Sequence, residues 1–276
     1  MSNTLAIPKF SSILVFGDSL VDTGNNNYIQ THSRADHAPY GKDFPGHVPT
    51  GRFSNGKLFT DFLASQLNLK DIVPPYLDPN LSPEELLTGV SFASGGSGID
   101  ELTSTISLSI PLSKQVENFK AYVLKLNQIV GENQTQQILR DALVVFCAGQ
   151  NDLIVNFYDL SGRRLMFGDN ISKYEDYLLD KLQIFIEDLY HHGCRNFGVA
   201  GIGSIGCMPS QITAMLESNG QCVMDENNDC MQYNQKLMQR LPQIQNMLPA
   251  SRLVYVDMYT PLLNLINNPE KYGEEY

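Results

Sequence analysis

Basic residues are scarce in this 276-residue chain: 19 Lys and Arg stand against 30 Asp and Glu, for a net charge of −11. No tract of five consecutive basic residues offsets that balance. An acidic surface repels phosphate backbones, so nucleic acid is not an expected partner. Long apolar runs are missing too. None approaches the roughly 18 residues that a membrane-spanning helix needs, and no integral membrane association is expected. Only about ten residues precede the first apolar run, Ile13 to Phe16, and that run is too short for the apolar region of a secretory leader, so none is expected. The expectation is that the mature chain begins near here or that the protein stays inside the cell.

Metal-ligand spacing is also absent. There is no Cys-x-x-Cys pair and no Cys/His cluster, which argues against zinc, and no cofactor is expected. The segment Asp225-Glu226-Asn227-Asn228-Asp229 begins like a calcium loop. It has Cys230 at the sixth position and Lys236 at the twelfth, where Gly and Glu belong, so it reads as a solvated helix start. The five cysteines are an odd number. Cys147 and Cys194 lie in or beside apolar runs and read as buried thiols; Cys207 and Cys222 flank a loop and could bridge. Asn80, Asn133 and Asn170 open Asn-x-Ser/Thr triplets, weak pointers to secretion.

What is present is a globular composition, 42% hydrophobic and 18% charged, enough for a sizeable core in one domain, residues 1–276. Short runs rich in β-branched residues read as strands: Ile13–Phe16, Val90–Ala93, Leu143–Cys147, Phe197–Ala200 and Leu253–Val256. Helical patterns lie between them at Leu58–Leu67, Leu112–Val130, Tyr174–His191 and Asn227–Leu241. In the second, Val116, Phe119, Val123, Leu126 and Val130 form an apolar stripe. The alternation predicts an α/β fold, a five-stranded parallel sheet covered on both faces in an α/β/α sandwich. From Asn25 to Asn55 the period lapses into a long irregular insertion of Asn, Gly, His, Pro and aromatic residues.

Active sites of such sheets form beyond the carboxyl ends of the strands. The first strand runs into Gly17-Asp18-Ser19, the second into Ser94-Gly95-Gly96-Ser97-Gly98, the third into Gly149-Gln150-Asn151-Asp152. A hydroxyl, glycine amides and a carboxamide are the components of acyl transfer. Each has a plainer reading. Ser19 and Asn151-Asp152 can cap helices, and Gly95-Gly96 can make a tight turn or an anion cradle. No Gly-Lys-Ser/Thr follows the glycines, which argues against a nucleotide P-loop. Their arrival on successive strand ends favours the joint reading.

The segments Phe16–Asn26, Pro49–Lys57, Gly89–Gly98, Gly149–Asp152 and Ile205–Pro209 resemble, in order, the blocks of the plant-type GDSL lipase/esterases, a branch of the SGNH hydrolases with a flavodoxin-like fold. The resemblance implies a serine ester hydrolase acting on a small-molecule ester or lipid. It implies Ser19 as nucleophile, with the N–H groups of Ser19 and Gly96 and the Asn151 amide as the oxyanion hole. Ser91 stands where the family often has Asn, a change expected to affect local hydrogen bonding. The family's base is a His in an Asp-x-x-His motif after the last strand, and no such motif follows Val256 here. The resemblance therefore implies a family member incomplete at its carboxyl end, without the closing helix beside the first strand. An exposed apolar patch and poor solubility are expected, with weak or absent activity.

The histidines are His32, His37, His47, His191 and His192. Asp188-Leu189-Tyr190-His191 spells the motif but ends a crossover helix, at the sheet edge opposite Ser19. A histidine of the insertion could fold near Ser19 as a substitute base. Two alternatives to hydrolysis stand: a non-catalytic acyl-ester binder, and a flavodoxin-like binder of a phosphorylated ligand. The resemblance implies secretion; without a visible leader, the cytoplasm is the alternative.

Overall fold

Ile13–Gly17 (β1), Leu143–Cys147 (β2), Asn196–Ala200 (β3) and Arg252–Val256 (β4) pair in parallel in that order. This structure, a computed structural model, describes residues 9–160, 162–214 and 220–273. Residues 1–8, which include most of the stretch read for a leader, lie outside the described residues. Register places Gly17 opposite Cys147, so β1 and β2 end side by side.

The fifth expected strand, Val90–Ala93, lies on the other side of β1. Val15 donates to Val90 O at 3.1 Å, Phe92 to Val15 O at 2.7 Å and Ser94 to Gly17 O at 3.0 Å. Only one regular bridge forms there, Val15 with Ser91. On the outer side Ser91 meets Pro74 and Pro75, which have no N–H to extend a ladder. The sheet is thus four regular strands plus one bonded edge segment.

The helices among the described residues are α1 (Phe59–Gln66), α2 (Pro83–Leu87), α3 (Glu101–Ser107), α4 (Leu112–Val130), α5 (Glu132–Asp141), α6 (Gly162–Phe167), α7 (Ile171–His191), α8 (Pro209–Ala214), α9 (Met224–Met247) and α10 (Tyr259–Asn267). On α4, Val116, Phe119 and Leu126 of the predicted stripe are buried, as are Gln115 and Tyr122. Leu14, Phe16, Val144, Phe146 and Val199 pack with side chains of α4, α7 and α9 into the larger core. The Phe16 ring stacks on Phe92 at 4.8 Å and meets Phe185 of α7 edge-on at 5.3 Å.

The opposite face is covered differently. Ile13 and Val15 pack against Ala64 of α1 and Val73. Towards β4, Leu143, Val145, Ala200, Val254 and Val256, with Phe10, Phe59 and Leu63, line an open apolar hollow of about 540 Å³. Val254 is 60% exposed. The expected cover on both faces is therefore complete on one face and, among the described residues, limited to the β1 side of the other.

Cys207 and Cys222 form a disulfide, while Cys147, Cys194 and Cys230 are free and buried. The acidic start of α9 corrects the solvated reading. Glu226 and Asn227 are buried. Asn227 accepts the Gly206 N–H and the Tyr158 hydroxyl bonds Asp229, which draw this turn of α9 against the 3-10 turn at Ile205–Cys207 and the π-helical segment 152–159. No helix among the described residues is long and apolar enough to cross a membrane.

Candidate active site

Gly17 ends β1 at φ +138°, where an added Cβ would sit 1.9 Å from Cys147 O. Only glycine allows so close an approach of β1 to β2. The chain then turns: the Asp18 N–H donates to Cys147 O at 3.0 Å, and Asp18 Oδ1 accepts the Leu20 N–H at 2.9 Å. Ser19 sits at the apex of this turn, not at the start of any described helix.

The glycine loop is a β-turn, closed by the Ser97 N–H on Ser94 O at 3.1 Å. Gly96, at φ +84°, occupies the position where such a turn requires glycine. The plain reading of this pair as a tight turn thus holds beside the functional one. Buried polar side chains from the segment after Ser19 grip the loop. Asn25 Nδ2 donates to Ser91 O and Ala93 O, both at 2.8 Å. Asn26 Nδ2 donates to Gly95 O at 2.8 Å, and Asp22 Oδ2 accepts the Gly95 N–H at 2.9 Å. From below, Ser107 Oγ holds Gly96 O.

Asn151 follows β2, at the head of a π-helical segment, Asp152–Asp159. Its Nδ2 donates to Ser97 O at 2.9 Å, and its side chain makes no capping bond. Ser97 Oγ in turn donates to Gly17 O at 2.8 Å. A two-bond chain therefore links the end of β1, the glycine loop and Asn151. The three predicted residues converge on one edge of the sheet.

Their exposure differs from that of their neighbours. In residues 89–100 every residue but Gly96 is buried; Ser19 and Asn151 are likewise half-buried at the ends of buried runs. Among the described residues, neither the Ser19 N–H nor the Gly96 N–H has an acceptor. A primary amide has two N–H bonds, and Asn151 spends one on Ser97.

Three carboxyl groups lie beneath this edge. Burial pushes Asp18 up to about 7, reinforced by the charges of Asp152 and Asp22. Burial likewise lifts Asp152 to about 7, against the Thr103 hydroxyl and the Ile99 and Asp100 amides. Asp22 rises less, to about 6, because the amides of Gly24, Gly95, Asn25 and Asn26 favour its charged form. Asp18 Oδ2 is buried without a hydrogen-bond partner.

The histidines are placed elsewhere. α7 ends five residues before β3 begins, so its last turn lies at the amino-terminal edge of the sheet. There the Asp188 carboxylate meets Lys120 at 3.0 Å and His192 at 3.1 Å. The insertion does fold against the glycine loop: the Phe53 ring covers Gly95, and Tyr40 meets Phe53 edge-on at 5.9 Å. His37 lies beyond Tyr40 at 5.4 Å, with its side chain 60% exposed. His32 and His47 are exposed. Among the described residues no histidine bonds Ser19.

Sequence reading passed over Asp22, Asn25, Asn26 and Arg52. Arg52 is buried with Asp61 in a paired contact, Nε and Nη2 each at 2.9 Å, and also donates to Thr23 O and Val73 O. It ties the insertion to the segment behind Ser19. Asp22, Asn25 and Asn26 have the residue types of an ordinary loop, and the partners that set them apart lie some seventy residues away.

A parallel α/β sheet that carries a serine turn, free backbone amides and a carboxamide on one edge has the layout of a serine hydrolase. The chain matches the GDSL-like lipase/acylhydrolase family over residues 13–274. It is similar to GDSL esterase/lipases of Arabidopsis thaliana. One is 48% identical over 99% of this chain and 76% of the relative, another 49% identical over 96% and 75%. A more distant one is 41% identical, over 100% of this chain and 77% of its own length. The chain belongs to the GDSL lipase/acylhydrolase family.

Proposed function

We propose that the protein is a carboxylic ester hydrolase in which Ser19 attacks the ester carbonyl to form an acyl-enzyme. The tetrahedral oxyanion is held by the N–H groups of Ser19 and Gly96 and by the free N–H of the Asn151 amide. The observation that carries this reading is that both backbone amides, at half-buried points beside buried runs, lack acceptors among the described residues. Donors set in place before reaction stabilise developing charge without reorganisation, each contributing about 10²–10³ in rate. The substrate is a small ester or lipid.

Within the described residues the weak point is proton removal from Ser19, since no histidine is hydrogen-bonded to its hydroxyl. We place turnover by this chain as weak for that reason. A fluorophosphonate followed by peptide mass spectrometry tests the assignment. Modification of Ser19, abolished in Ser19→Ala, supports it. A chain that binds a short ester yet leaves Ser19 unmodified is the non-catalytic binder instead.

The disulfide and the exposure of Asn80, Asn133 and Asn170 support an oxidising, secretory compartment. Glycan on those asparagines in protein isolated from its native tissue tests that placement.

A further inference from the structure

Gln115 lies on the apolar stripe of α4, three residues after Leu112 and four before Phe119, and is fully buried. Its carboxamide reads the backbone of Gly17 from both sides. Oε1 accepts the Gly17 N–H at 3.0 Å, and Nε2 donates to Gly17 O at 2.9 Å. Nε2 also reaches Ser97 Oγ at 3.3 Å and Ile110 O at 3.2 Å. Gly17 is two residues before Ser19, and the Ser97 carbonyl holds Asn151. One side chain thus touches the strand that carries the serine and the loop that carries Gly96 and orients Asn151.

We propose that Gln115 is a positioning residue, fixing the Ser19 turn relative to the oxyanion donors. This rests on the assignment of Ser19 as nucleophile. A neutral amide suits the place because it offers an acceptor and a donor side by side, matching one N–H and one C=O. Displacing reacting groups by about 1 Å costs on the order of 10²-fold in rate.

A carboxyl group has the same shape and changes its bonding with pH. Protonated, Gln115→Glu accepts from Gly17 N–H and donates to Gly17 O as the amide does, giving up only the second N–H that reaches Ile110 O and Ser97 Oγ. Ionised, it turns a negative oxygen on that carbonyl. Burial raises the pKa of such a group, so the variant should work at low pH and fail as pH rises.

The test is the rate of Ser19 modification by a fluorophosphonate between pH 5.5 and 9, relative to wild type at each pH. Gln115→Leu is expected to be slower by at least about 10-fold at every pH. Gln115→Glu should approach wild type at pH 5.5 and fall to the Gln115→Leu rate by pH 9. Ile244→Ala, a remote core change on α9, controls for general destabilisation and should keep the wild-type rate. Amide exchange of the peptides containing Gly17 and Ser97 should quicken in Gln115→Leu and not in Ile244→Ala. Equal rates for wild type and Gln115→Leu overturn the proposal, as does a Gln115→Glu ratio that stays flat with pH. A wild type that takes no probe on Ser19 overturns the nucleophile assignment instead, and this inference with it.

Discussion

The side-chain amide of Asn26 donates to Gly95 O at 2.8 Å, and this bond sets the direction of the Gly96 N–H. The two groups belong to one planar trans peptide, so fixing the carbonyl aims the N–H the opposite way. The same Nδ2 also donates to Ser33 O at 2.7 Å. Asn26→Asp keeps the shape but faces two carbonyl oxygens with a carboxylate oxygen. Loss of the aimed donor is expected to slow Ser19 modification by about 10²-fold, measured by intact-mass kinetics at pH 8. A change under threefold would remove Asn26 from the loop's support.

Asp18 gives a stability prediction with a definite sign. Its folded pKa is raised to about 7 from 3.8, so between those values the folded state binds the proton more tightly. Its contribution is fully present below about pH 4 and is lost as pH rises through 7. Asp152, also raised to about 7, acts in the same direction. Asp18→Asn keeps an acceptor for Leu20 N–H and removes the buried charge. The variant is expected to be more stable than wild type by about 1–3 kcal/mol at pH 8, with little difference at pH 4.5. Thermal unfolding at the two pH values checks this, and an Asp18→Asn chain less stable at pH 8 would refute it.

Arg52 should be needed for folding of the insertion rather than for chemistry. Removing one partner of a buried ion pair leaves the other uncompensated, at a cost of about 3–5 kcal/mol. Arg52→Met strands Asp61, although Asp61 still accepts the Leu58 and Val73 N–H groups at 2.8 Å. Urea unfolding should register that loss, and limited proteolysis should cut within residues 31–57 first. Wild-type resistance there would show that the insertion is held by something else.

Much of the site was legible because apolar runs ending in glycine, serine or asparagine mark strand ends directly. β2 and α4 match their predicted bounds residue for residue. The edge segment 90–93 was read as a strand; the prolines at 74 and 75, which stop a ladder on its outer side, and Gln115, which takes the Gly17 N–H on its inner side, are not its neighbours in sequence. The supports of the site were harder to read. Asn25, Asn26 and Asp22 look like loop composition until the glycine loop, some seventy residues away, is seen to supply their partners. Gln115 was visible in principle: a polar residue on an apolar helical stripe needs a buried partner. The partner is 98 residues distant, beyond any local pattern.

The account stands on three donors facing one point above Ser19. A crystal structure of the protein carrying a phosphonate on Ser19 measures this directly. The account expects the phosphoryl oxygen within about 3.1 Å of Ser19 N, Gly96 N and Asn151 Nδ2 together. A phosphoryl oxygen turned to solvent, or lying beyond reach of both Gly96 and Asn151, would contradict it.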